Sequence, residues 1–149
     1  MHNAVHRARH LACGIAVVGL LLAARPVSAE PVAVVSMKSP VFTLSKTQVA
    51  DIFLGKATRF PDGSRAVPID QSEGILARDE FYADIVGKSP VQMKAYWSRI
   101  IFTGRGQPPK AASSSAAVKI LVSADPNAIG YIESRMVDAT LRVVAVTAR

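Results

Sequence analysis

Residues 69–78 read Ile69-Asp70-Gln71-Ser72-Glu73-Gly74-Ile75-Leu76-Ala77-Arg78, and the change of pattern around them decides the fold class. Residues 65–70 (RAVPID) predict a strand, with Pro68 placing it near an edge or an end. From 72 to 87 the pattern turns helical, with Phe81, Tyr82, Ile85 and Val86 forming an apolar stripe. A polar loop therefore leaves the carboxyl end of a strand and opens a helix, which is the repeating unit of α/β domains.

The same alternation extends in both directions. Residues 31–37 (PVAVVSM), Val-rich and closed by Ser39-Pro40, suit a buried strand. Ser45 with Gln48 is a capping-box pattern, after which Val49, Ile52 and Phe53 share one face until Gly55 ends the helix. Pro61-Asp62-Gly63 is a turn signal. Downstream, Ser89-Pro90-Val91-Gln92 starts a helix, with the cap at Ser, Pro at the first helical position and Gln92 closing the box. Met93, Tyr96, Trp97, Ile100 and Ile101 make its expected buried face, and Gly104 stops it. Residues 107–117, rich in Pro, Ala and Ser, read as a loop leading into a helix over about 115–124. A strand at 128–132 (AIGYI), a turn or short helix at 133–138 and a strand at 141–146 complete the order. The expected fold is α/β, a three-layer α/β/α lobe with a mixed central sheet.

Composition narrows the chemistry. Residues 1–10 carry Arg7 and Arg9 and no acid, 11–24 are an unbroken apolar run, and Val27-Ser28-Ala29 is an A-x-A-like cleavage site, so 1–29 are expected to be a cleaved signal peptide. The apolar run is well short of the ~20 residues of a spanning helix, so the processed protein is expected not to span a membrane. His2, His6, His10 and Cys13 all lie in that segment, so residues 30–149 contain neither His nor Cys. That excludes from the processed chain a Cys/His metal site, a Cys nucleophile, a Ser-His-Asp triad and a disulfide. Loss of Arg7, Arg9 and Arg25 leaves 15 basic against 11 acidic residues, a formal charge of +4, which favours anions but is too weak to imply nucleic acid. These residues are expected to form one domain, 30–149.

No enzyme signature is present: G-x-S-x-G, S-x-x-K and H-E-x-x-H are absent, and Gly104-Arg105-Gly106 continues as neither a dinucleotide loop nor a P-loop. The acidic residues Asp70 and Glu73, and Asp79, Glu80 and Asp84, read as a solvated helix face with Arg78 and Lys88 as partners, rather than as an acid/base pair. Ser72, Gly74 and Arg78 supply a hydroxyl, a close backbone approach and a guanidinium where a strand meets a helix, the groups an oxyanion would use. Read locally, the favoured assignment is Ser72 as a helix cap, Gly74 as a turn and Arg78 as a partner of nearby acids. Residues 103–110 make a second, flexible basic surface carrying Arg105 and Lys110.

Three segments carry a family resemblance in order along the chain: Leu44-Ser45-Lys46-Thr47-Gln48-Val49-Ala50-Asp51-Ile52-Phe53-Leu54-Gly55-Lys56, then Val67-Pro68-Ile69-Asp70-Gln71, then Asp125-Pro126-Asn127-Ala128-Ile129-Gly130-Tyr131-Ile132. They resemble the substrate-binding proteins of phosphate ABC transporters, which have the type II periplasmic-binding-protein fold. The likeness runs over nearly all of 31–146 and corresponds to one lobe of a two-lobed protein. It implies a phosphate loop reading like R-x-D-G-S-G-T. With Gly74 set on the last glycine, Glu73 stands at the Ser, Ile75 at the Thr and Ile69 at the Arg, so only Gly74 carries over.

The resemblance implies an exported, single-lobe substrate-binding-like protein, periplasmic or secreted, without a cofactor, metal or catalysis. Its expected ligand is a small phosphate-like oxyanion, bound weakly or with a partner, with Ser72, Gly74 and Arg78 as the ligand-binding residues. The expected partner is a transporter permease or other envelope protein. The alternative is an envelope scaffold that docks through Arg105 and Lys110.

Overall fold

A computed structural model of the chain describes residues 29–148. The signal-peptide reading, apart from Ala29, lies outside the described residues.

Strand β1 (Pro31–Ser36) is the first element. Strand β2 (Thr43–Ser45) leads into helix α1 (Lys46–Phe53), whose capping box is complete: the Ser45 hydroxyl accepts from the Gln48 N–H and the Gln48 amide oxygen accepts from the Ser45 N–H. Gly55, at φ +70°, ends it, with the Gly55 N–H bonded to the Ile52 carbonyl and the Lys56 N–H to that of Asp51. Strand β3 (Val67–Gln71) precedes helix α2 (Leu76–Phe81), which continues as a π-helical turn, Tyr82–Val86. Helix α3 (Pro90–Phe102) has the expected box at Ser89 and Gln92 with Pro90 in the first turn. Strand β4 (Lys110–Ala112), helix α4 (Ser115–Ala124), strand β5 (Ala128–Glu133), a 3-10 turn (Ser134–Met136), and strands β6 (Leu141–Val143) and β7 (Ala145–Thr147) follow.

Five strands form a mixed sheet in the order β4-β3-β5-β1-β6, with β3 parallel to both neighbours and β1 antiparallel to both of its own. The two-residue period of β1 and β5 divides the core. Val35, Ala33, Ile129 and Tyr131 face α1, α2 and α3, while Val34, Ala128 and Ile132 face α4 through Val118 and Val122. Both faces are covered, so these strands are apolar up to their last residues, Ser36 and Glu133. Gly130 sits where α4 presses closest: a Cβ there would lie 2.6 Å from Val118 Cγ1 and 2.9 Å from Val122 Cγ2.

Several expectations are corrected. The single strand over 141–146 is two strands in different sheets. Val144 between them is buried and gives its N–H to the Ala33 carbonyl, and β7 pairs in parallel with β2, a strand with too few residues to show a pattern. Helix α2 begins at Leu76 rather than near Ser72, because residues 72–75 form a turn with Gly74 at φ +86°. The Pro/Ala/Ser segment contains β4, recruited by pairing Ile69↔Lys110 and Gln71↔Ala112. Pro68 sits where β3 pairs only with β5, before β4 begins, so its missing N–H leaves no ladder bond unmade. Ile101 is 48% exposed rather than core.

Candidate binding site

Beyond Pro68, β3 and β5 diverge, and side chains close the gap that the backbone ladder leaves. The Gln71 amide Nε2 donates to the Tyr131 carbonyl (3.0 Å) and to the Ser115 hydroxyl (3.2 Å). The Gln71 N–H donates to Asp70 Oδ1 (2.7 Å) and to the Tyr131 hydroxyl (3.2 Å). Asp70, only 4% exposed, accepts from the Tyr82 hydroxyl at Oδ2 (2.9 Å) and from the Tyr131 hydroxyl at Oδ1. Arg78 Nε lies 3.4 Å from Asp70 Oδ2, close enough for an ion pair but not aligned as a hydrogen bond, and its guanidinium carbon is 5.0 Å from the Tyr82 ring centre. A buried carboxylate is tolerated here because two hydroxyls, a backbone N–H and a guanidinium surround it. Burial first, and then the Asp70 charge and hydrogen bond, push both tyrosine hydroxyls far above their ordinary pKa.

Above this network, at the carboxyl ends of β3 and β4, a cavity of about 280 Å³ opens between the sheet and α3. Gln71 and the Asp70–Arg78 pair form its floor side, Met93, Trp97 and Ile101 an apolar wall, and Lys94 and Glu73 carry charge at it. Lys94, Trp97, Ser98 and Ile101 reach it together because they are spaced at i, i+3, i+4 and i+7 on α3. The indole Nε1 of Trp97 and the Gln71 Oε1 are buried without a hydrogen-bond partner. Ligands in open α/β sheets occupy this position, outside the carboxyl ends of the strands.

The structure distributes the expected site residues unevenly. Arg78 lines the cavity, but it is buried and held against Asp70, not against Asp79 or Glu80. Ser72 extends the β3–β4 pairing: its N–H (3.0 Å) and hydroxyl (3.3 Å) both donate to the Ala112 carbonyl. Gly74 makes an exposed left-handed turn with nothing within 4 Å of where a Cβ would lie, so it needs its φ and not a close approach. Neither Ser72 nor Gly74 lines the cavity, whereas Glu73 between them does. Arg105 and Lys110 are exposed and lie outside it. The segment that carries them has regular structure at both ends. The Gly104 N–H bonds the Ile101 carbonyl and the Arg105 N–H that of Ile100, a closed helix end, and Lys110 is in β4.

The solvated acidic face is also redrawn. Asp84 pairs with Lys46 (3.1 Å), and Asp70 belongs to the interior. A larger cavity of about 610 Å³, beside β1 and the π-helical turn, has Glu30, Glu80 and Asp84 in its lining. Among the described residues no group of three or more acidic, His or Cys side chains is placed to hold a metal, and no helix is long and apolar enough to cross a membrane. Sequence reasoning missed Lys94, Ser98 and the Asp70–Tyr82–Tyr131 cluster. The helical spacing of Lys94 and Ser98 with Trp97 was a usable signal, whereas the cluster joins residues up to 61 positions apart.

No protein-family model matches the sequence, and no curated protein does. Solved structures do. A Clostridium perfringens protein described as a phosphate ABC transporter substrate-binding protein, solved with bound phosphate, superposes with a TM-score of 0.62 at 26% identity, over 78% of this chain and 44% of its own. Over that span the chain is similar to one part of this phosphate ABC transporter substrate-binding protein. An ABC-type phosphate transport receptor of Vibrio cholerae (TM-score 0.54, 17% identity, 78% of this chain, 46% of that one) shares the fold. So does PstS of Borrelia burgdorferi (0.54, 14%, 78% and 47%). The chain thus spans less than half the length of these relatives, and its mixed sheet with helices on both faces is the fold of a periplasmic-binding-protein lobe.

Proposed function

We propose that this lobe is an exported substrate-binding-like module, periplasmic or secreted, that holds a small phosphate-like oxyanion without reaction. The observation that carries the reading is the cavity at the carboxyl ends of β3 and β4, lined by Arg78 and Lys94, in a lobe like that of a protein solved with phosphate. Residues 30–149 act as one domain, with Arg78, Ser72 and Gly74 at or beside the ligand. Ser72 and Gly74 fix the loop that presents Glu73, and Lys94 adds the exposed cation. One wall open to water weakens charge-assisted bonds, so affinity by the lobe alone is millimolar, about −4 kcal/mol. A transporter permease or other envelope protein supplies the remaining wall.

Titration calorimetry of the protein with phosphate, sulfate and molybdate tests this. Heat at millimolar ligand, reduced at least fivefold in affinity by Lys94→Ala, is the expected result. No heat from any of the three overturns the oxyanion reading.

A second reading, an envelope scaffold, is favoured by the closed end of α3. Phe102 is 93% exposed and lies within three residues of Ile101, Arg99 and Arg105 along the chain. An aromatic ring so exposed on an ordered helix end suits a docking contact. A pull-down from the envelope fraction lost on Arg105→Ala with Lys110→Ala would support it, and a pull-down unchanged by both would sink it.

A further inference from the structure

Resting on the oxyanion reading, we infer that the cavity selects a zwitterion: a small phosphonate or phosphate monoester that also carries an ammonium group, in preference to bare phosphate. Four charged side chains line the cavity, and they balance: Asp70 and Glu73 against Arg78 and Lys94. The inner two neutralise each other at 3.4 Å. The outer two do not. Glu73 and Lys94 are both exposed, and neither belongs to an ion pair or hydrogen bond among the described residues. A cavity thus presents one free carboxylate and one free ammonium, on different elements, the turn after β3 and α3.

Bare phosphate gains from Lys94 and is repelled by Glu73, so the two largely cancel. A ligand with its oxyanion toward Lys94 and its ammonium toward Glu73 gains at both ends. Met93, Trp97, Ile101 and Pro108 in the same lining are apolar and suit a short methylene spacer rather than a third charge. At about 280 Å³ the cavity has the volume of about nine waters at ~30 Å³ each, more than a lone tetrahedral anion fills. Specificity here is the difference between a matched and a mismatched charge at Glu73.

The test compares 2-aminoethylphosphonate, ethylphosphonate and inorganic phosphate by calorimetry on the protein, with Glu73→Gln and Lys94→Gln variants. Both positions are exposed, so both variants fold, checked by an unchanged Tm. The expected result is at least fivefold tighter binding of 2-aminoethylphosphonate than of ethylphosphonate. Glu73→Gln abolishes that preference and tightens phosphate, and Lys94→Gln weakens all three. Equal affinities for the two phosphonates overturn the zwitterion inference while leaving the oxyanion reading intact, and so does a preference that survives Glu73→Gln. Absence of binding by all three overturns both.

Discussion

Asp70 stands next to last in β3, 4% exposed, and two tyrosine hydroxyls and a guanidinium surround it. Removing one partner of a buried charge costs more than the pair contributes, because the other charge is left without compensation. Arg78→Ala is therefore expected to lower stability by about 3 kcal/mol, at the low end for buried pairs because Nε is not aligned on Oδ2. Urea denaturation measures it, and Arg78→Lys should recover part of the loss by keeping a cation. From sequence, Arg78 shows its charge and its place after a strand, but not its partner. Asp79 and Glu80 are its neighbours in the chain, and only the packing of α2 on β3 turns it toward Asp70 instead. Glu73 shows the opposite case: the mismatch with a phosphate loop is plain in the residues, and the structure puts that carboxylate at the cavity.

At the scale of elements, capped helices were the most legible features. The boxes at Ser45 and Ser89 and the stops at Gly55 and Gly104 are local, since each needs only residues three or four apart to satisfy backbone groups that a helix end leaves open. Strands β2, β4 and β7 have three residues each, too few for a period, and they exist because a neighbour pairs with them. The meeting of β5 and α4 depends on the absence of a side chain at Gly130. Gly130→Ala places a Cβ within 2.6 Å of Val118, so helix and strand must separate. The expected cost is about 2 kcal/mol, read as a lower Tm, and Val118→Ala in the same chain should recover part of it.

Over the whole molecule, the tyrosine cluster gives stability a dependence on alkaline pH. Tyr82 and Tyr131 ionise in the unfolded chain near pH 10 but far higher in the folded one. Below pH 10 both states hold these protons and stability is flat. Above it the unfolded state alone releases them, so stability falls by up to about 1.4 kcal/mol per pH unit for each tyrosine. Denaturation between pH 9 and 11.5 checks this, and Tyr82→Phe should roughly halve the slope. The same cluster lies beneath the cavity, so the interior that stabilises the lobe also sets the floor of its site.

The alternation of the longer strands β1, β3 and β5 with helices, the helix ends and the want of His and Cys in residues 30–149 were determined by the sequence alone, because they depend on residue identity and on neighbours a turn or less away. Which strands pair, that Arg78 faces Asp70, and that Lys94 and Glu73 line one cavity were decided only by the tertiary structure. Those contacts join distant parts of the chain, and their energies come from burial and charge in a shared interior that no local pattern encodes.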